Sequence, residues 1–144
     1  MSGGSDAASA RLVALDDRTL VAGQIAPADL PDIAAAGVKM VVNNRPDGEE
    51  PGQPTGEQIR AAAEEAGLAY RHIPVAGGLS ADQVAATAAL LGETDDKILL
   101  FCRTGTRSTY LWALAEASRG ADSETLISKA AAAGYDLSSL RPHL

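Results

Sequence analysis

Two apolar runs without alternation limit the fold more than any other feature of this chain: VKMVVNN at 38–44 and KILLF at 97–101. A strand with one face in water alternates apolar and polar residues, so unalternating runs predict strands covered on both faces, as in the middle of a parallel sheet. The segments between them carry helix signals. ADLPDIAAAG is opened by Pro27 and ended by Gly37; GEQIRAAAEEAG follows Thr55, with Gln58 in capping-box spacing and Gly67 at its end; SADQVAATAALLG is capped by Ser80. Two more helices are predicted at about 107–119 and 123–133, the second stopped by Gly134, while TLVAGQ (19–24) and LAYRHIPV (68–75) read as further strands.

Strands that alternate with helices across short glycine-ended loops require right-handed βαβ crossovers. The predicted class is therefore α/β: a single domain with a mainly parallel central sheet flanked by helices. A chain of 144 residues fits one such domain, over residues 17–144, and the small polar residues 1–16 read as a flexible N-terminal arm. Aromatics are only 3% of the residues, so the core has to be built from Ala, Val, Leu and Ile.

The formal net charge of −7 argues against nucleic acid or an anionic membrane as partner, since both need clustered positive charge. No apolar stretch approaches the ~20 residues that span a bilayer, and MSGGSDAASAR lacks the apolar core of a signal peptide, so the cytoplasm is the expected location. One cysteine cannot close an internal disulfide, and His72 and His143 stand far apart, so neither a metal nor any other cofactor is predicted. Nothing in the sequence fixes an oligomeric state.

Cys102 is then either a small buried hydrophobe or a reactive thiol. It lies in FCRTGTRS, between the predicted strand KILLF and the helix STYLWALAEA. In a parallel sheet ligands bind beyond the carboxyl ends of the strands, and a loop that opens a helix there aims several amides, and the helix's positive end, at one point. Arg103, Thr104, Gly105, Thr106 and Arg107 are therefore the candidate oxyanion ligands. Gly105 permits the turn and Arg107 offers a planar fork of donors. The same field stabilises a thiolate, which makes Cys102 a candidate nucleophile, and Ser108 or Thr109 could donate a hydroxyl hydrogen bond to the sulfur when it leaves. A merely buried cysteine would explain neither Gly105 nor the two arginines beside it.

Other residues have two readings each. Arg45, after Asn43 and Asn44, either reaches a bound anion or braces Asp47 or Glu49. Asp82, in the first turn after Ser80, is an accessory acid or a partner of the helix dipole. His72 is expected to be a hydrogen-bonded structural histidine rather than an acid–base group, Arg103 to face solvent at the mouth or else pair with an acid, EEPGQPTGE to be a solvated acidic rim, and Leu111, Trp112 and Leu114 to pack the helix rather than line a cofactor.

The segments TLVAGQ, AAGVKMVVNNRPDGEEPGQP, YRHIPVAGG, FCRTGTRS and AGYDLSSLRP together resemble the phosphatase-like domain of β-lactamase-hydrolase-like proteins, over roughly residues 17–141. That family is a branch of the dual-specificity and tyrosine phosphatase fold, sometimes labelled a sulfurtransferase. The resemblance implies a Cys-based phosphate loop with Cys102 as nucleophile and Arg107 as oxyanion ligand. It also implies a small anionic or phosphorylated substrate. Three departures bear on the chemistry. Tyrosine phosphatases place five residues between cysteine and arginine, whereas four separate Cys102 from Arg107, a spacing similar to the persulfide loop of rhodanese sulfurtransferases. Phe101 stands where phosphatases usually carry histidine, and PVAGG (74–78) has no acid where they carry an aspartate. Without a proton donor, phosphoryl transfer loses a factor of ~10² to 10⁴, while sulfur transfer needs only a thiolate and an anion cradle. The leading expectation is a phosphatase-like hydrolase that turns over phosphate monoesters through a cysteinyl-phosphate. The alternatives are a sulfurtransferase using a Cys102 persulfide, and a non-catalytic oxyanion-binding regulatory module.

Overall fold

The computed structural model describes residues 11–144. In chain order they form β1 (Val13–Ala14), β2 (Thr19–Ala22), a 3₁₀ turn (Pro27–Asp29) leading into α1 (Leu30–Ala35), β3 (Val38–Asn43), α2 (Gly56–Glu65), β4 (Ala69–His72), α3 (Ala81–Glu93), β5 (Lys97–Phe101), α4 (Thr106–Ser118), α5 (Ser123–Ala132) and a closing 3₁₀ helix (Ser138–His143). The strands make one sheet in the order β1-β2-β5-β3-β4, parallel throughout except where β1 runs antiparallel to β2. This is the expected α/β class.

The lack of alternation in the two apolar runs has a direct cause. In β5, Leu99 and Phe101 pack into a layer with Ile33, Ile59 and Ala63, while Ile98 and Leu100 pack into the opposite layer with Leu90, Leu91 and Ala115. β3 divides in the same way, Val41 to the first layer and Met40 and Val42 to the second. Both faces are apolar because both are covered by helices. A third cluster joins Val21 of β2 to Trp112, Ala113, Leu126 and Ala130 of α4 and α5, so Trp112 packs the core.

Helix starts follow the sequence signals closely. Thr55 with Gln58, and Ser80 with Gln83, both form reciprocal capping boxes. The closing 3₁₀ helix had no sequence signal, since SSLRPH shows no period and contains Pro142. Of the expected N-terminal arm, residues 1–10 lie outside the described residues. Its last part is corrected: Val13 and Ala14 pair with Val21 and Leu20, and Leu15 joins the Trp112 cluster. The run Leu-Val-Ala-Leu at 12–15 is apolar enough to cover the otherwise open edge of β2. Among the described residues no helix is long and apolar enough to cross a membrane.

The register places the site. Ala22 and Asn43 both lie opposite Phe101, and His72 lies opposite Asn43, so the four parallel strands end level with one another. Gln24, Arg45, Val75 and Cys102 therefore leave the sheet along one edge.

Candidate active site

Cys102 follows β5 directly and α4 begins at Thr106, so three residues turn the chain. Gly105 makes that turn with φ +93°, in the left-handed region, and a Cβ on it would stand 2.2 Å from the Tyr135 hydroxyl. Glycine is required on both counts. The turn brings the Gly105 N–H to Cys102 Sγ at 3.1 Å. Thr104 is exposed, and its hydroxyl donates to Thr106 Oγ1 at 3.1 Å. The thiol itself is fully buried.

Neither hydroxyl expected on the sulfur is there. Ser108 Oγ donates to Asn44 Oδ1 at 2.8 Å, and Thr109 Oγ1 donates to the Gly105 carbonyl at 2.8 Å. This corrects the role expected for Ser108. A buried hydroxyl in the first turn of a helix satisfies itself on the nearest fixed acceptor, here the Asn44 amide or a carbonyl four residues back, and the sulfur is left to a backbone amide. Asn44, itself buried, donates in turn to the Ile73 carbonyl at 2.9 Å, so it ties the end of β3 both to α4 and to the segment after β4.

The loop after β3 supplies a residue that the sequence reading placed on a solvated rim. Glu49 accepts from Arg107 at both oxygens, Nη1 to Oε2 at 2.8 Å and Nη2 to Oε1 at 2.9 Å, and its Oε1 also accepts from Arg45 Nε at 2.8 Å. Arg107 Nη1 donates further to the Val75 carbonyl at 2.7 Å. Arg45 is only 2% exposed, and its other donors go to Glu50 Oε1 at 2.9 Å and Gln24 Oε1 at 3.0 Å. Of the two readings of Arg45, bracing is the one observed, on Glu49 and Glu50. Asp47 instead accepts the Gly56 N–H at the start of α2, at 2.7 Å. Glu49 and Arg107 are 58 positions apart in the sequence, so no local pattern could have paired them.

The electrostatics follow from this bridge. The hydrogen bonds from Arg107, joined by the one from Arg45, hold the Glu49 carboxyl at about 2, against the opposing effect of burial. Glu49, chiefly through its hydrogen bonds, raises the pKa of Arg107 in turn, against the opposing effect of burial. Arg107 has two donor edges, and Glu49 occupies the terminal one formed by Nη1 and Nη2. Arg103 is 63% exposed at the mouth, with its Nε 3.9 Å from Glu50, and a cleft lined by Arg45, Glu49, Glu50, Arg103 and Arg107 opens beside it.

Asp82 and His72 both lie away from the Cys102 loop's hydrogen bonds. Asp82 is exposed in the first turn of α3 and makes no hydrogen bond to the Cys102 loop among the described residues; its neighbour Gln83 donates to the Pro74 carbonyl at 2.7 Å. His72 Nε2 is 3.0 Å from the Arg45 carbonyl, a structural contact as expected. Tyr135, to which the sequence assigned no role, donates from its hydroxyl to the Thr104 carbonyl at 3.0 Å.

The bridge gives a pH prediction. Because the folded value of Glu49 lies below its ordinary 4.5, the stability it contributes is complete above about pH 4.5 and is lost as pH falls towards 2. Thermal unfolding midpoints followed by circular dichroism should therefore drop over that acid range, and Glu49→Gln should remove part of the drop. An acid slope identical in parent and variant would rule out the bridge as its source.

Residues 11–119 match the family model described as the phosphatase-like domain of β-lactamase hydrolase-like protein. The chain belongs to this family. A β-lactamase hydrolase-like protein of Agrobacterium fabrum is 39% identical over 111 residues, which are 76% of this chain and 26% of that protein. The chain thus spans about a quarter of the length of the β-lactamase hydrolase-like relatives it matches. Among solved structures, a candidate phosphatase of Neisseria meningitidis is 35% identical with a TM-score of 0.78, over 90% of this chain and 93% of that one. Human DUSP28, at 20% identity and a TM-score of 0.61 over 85% of this chain and 80% of its own, shares the fold. The family therefore has a dual-specificity and tyrosine phosphatase-like fold, and this chain is one of its phosphatase-like domains.

Proposed function

We propose that this domain hydrolyses phosphate monoesters with Cys102 as nucleophile and Arg107 as oxyanion ligand. The observation that supports this most is the Gly105 N–H held on Cys102 Sγ at 3.1 Å where α4 begins, with Arg107 in the first turn of that helix. An amide donor and a helix start stabilise a thiolate, and the same elements suit the equatorial oxygens of a phosphoryl group. In the first step Sγ attacks phosphorus, the S–P bond forms and the bond to the leaving oxygen breaks with both electrons on that oxygen. In the second step water cleaves the S–P bond and the thiolate returns. Arg103 at the mouth would draw anions in, and the residues covering Cys102 have to give way for a substrate to reach the sulfur. A cytoplasmic location belongs to the same reading.

A sulfurtransferase is the second reading, favoured by two observations: four residues, not five, separate Cys102 from Arg107, and PVAGG holds no acid. Parallel assays with an aryl phosphate, and with thiosulfate plus cyanide, separate the two. Turnover of the phosphate with no thiocyanate formed supports the first reading, and the reverse supports the second.

The missing acid also predicts how a phosphatase reaction should behave. The leaving group departs largely unprotonated, so across a series of aryl phosphates kcat should fall steeply as the pKa of the phenol rises. A flat series whose rates drop by about 10² in Asp82→Asn would instead make Asp82 the proton donor.

A further inference from the structure

The geometry points to Tyr135 as a positioning residue that aims the Gly105 amide at the Cys102 sulfur by holding the other end of the same peptide unit. The Tyr135 hydroxyl donates to the Thr104 carbonyl at 3.0 Å, and the N–H of the next residue, Gly105, donates to Cys102 Sγ at 3.1 Å. In a planar trans peptide the carbonyl and the N–H point in opposite directions, so fixing the Thr104 oxygen fixes where the Gly105 hydrogen points. Gly105 needs this external hold more than most residues would. It has no Cβ to limit its backbone, and at φ +93° that peptide could rotate at little steric cost.

The position of Tyr135 is itself built in. Gly134 ends α5 with φ +98°, the Gly134 N–H bonds the Ala131 carbonyl at 3.0 Å, and the Tyr135 N–H bonds the Ala130 carbonyl at 2.8 Å. This is the paired bonding of a Schellman cap, which turns the chain back and sets the direction of the residue after the glycine. The tyrosine ring packs against the cluster of Trp112, Leu126 and Leu137, so the hydroxyl is delivered on a rigid support. Burial raises the pKa of the Tyr135 hydroxyl, which keeps it protonated and able to donate. The fit is close enough that a Cβ on Gly105 would collide with the hydroxyl.

This inference rests on the thiolate reading of Cys102 but not on the identity of the substrate. The test is Tyr135→Phe, which keeps the ring and its packing and removes only the donor. Its readout is the thiolate absorbance in the ultraviolet at neutral pH, taken as the difference between each protein and its Cys102→Ser counterpart so that the tyrosine's own absorbance cancels. The ratio of thiolate to thiol should fall roughly three- to tenfold in Tyr135→Phe, the effect of one lost hydrogen bond transmitted to the sulfur. In a turnover assay kcat should fall by a similar factor with KM little changed. Equal thiolate signals in Tyr135→Phe and its parent would overturn the proposal. So would a lowered signal that came with a loss of helical circular dichroism, since the fold and not the peptide would then be the cause. A lowered signal in a folded variant that has no phosphate turnover would support the role of Tyr135 and count against the phosphatase reading alone.

Discussion

Cys102→Ser should lose turnover of aryl phosphates by at least about 10³-fold while the protein stays folded, because the step that forms the covalent intermediate has no other nucleophile at this point of the loop. The side chain is fully buried, and its replacement is close in size. A serine oxygen can still accept the Gly105 N–H that Sγ accepts now, so no buried donor is orphaned and the stability cost should stay within about 1–2 kcal/mol. Steady-state kinetics of the parent and variant, with circular dichroism as the control for folding, measure both effects. Activity within tenfold of the parent would remove Cys102 from the mechanism. A variant that loses thiocyanate formation from thiosulfate, beside a parent that never turns over phosphate, would move the chemistry to sulfur.

Arg107→Lys should lower kcat/KM for phosphate monoesters by about 10² to 10³, the loss typical of one oxyanion donor. The charge is kept, so the effect would come from geometry. The guanidinium serves Glu49 with two parallel hydrogen bonds and Val75 with a third, and only its planar shape leaves further donor capacity for an anion beside Cys102. An ammonium group offers one point of charge and cannot reproduce that arrangement. Glu49→Gln separates the two duties of Arg107: it keeps the oxyanion ligand but loosens its support, and its rate should fall less. If both variants lose the same factor, Arg107 acts only by holding the loop after β3, and it is not an oxyanion ligand.

How far the sequence could be read depends on the range of the interactions involved. The unalternating runs at 38–44 and 97–101, the capping residues Thr55 and Ser80 and the stop at Gly134 are local statements about burial and backbone, and the strands and helices appeared where those statements put them. The placing of Cys102 at the carboxyl edge of a parallel sheet followed from the same patterns, since a strand, a tight turn and a helix in succession leave few topologies. The resemblance of the chain to the phosphatase-like family was legible for the same reason, in segments that lie mostly at that edge. What the tertiary structure alone decided is which partners those residues take. Ser108 met Asn44 at the end of β3 and so was not free for the sulfur. Glu49 looked like part of an acidic rim until the loop after β3 folded over α4 and brought it between Arg45 and Arg107. Tyr135 met the Thr104 carbonyl through a chain reversal at the end of α5. Charge pairs and hydrogen bonds between distant segments leave no periodic trace in the sequence, because their geometry is set only when the helices have docked on the sheet. The apolar pattern records which residues must leave water, whereas the polar pairing is chosen afterwards by the distances that packing happens to create.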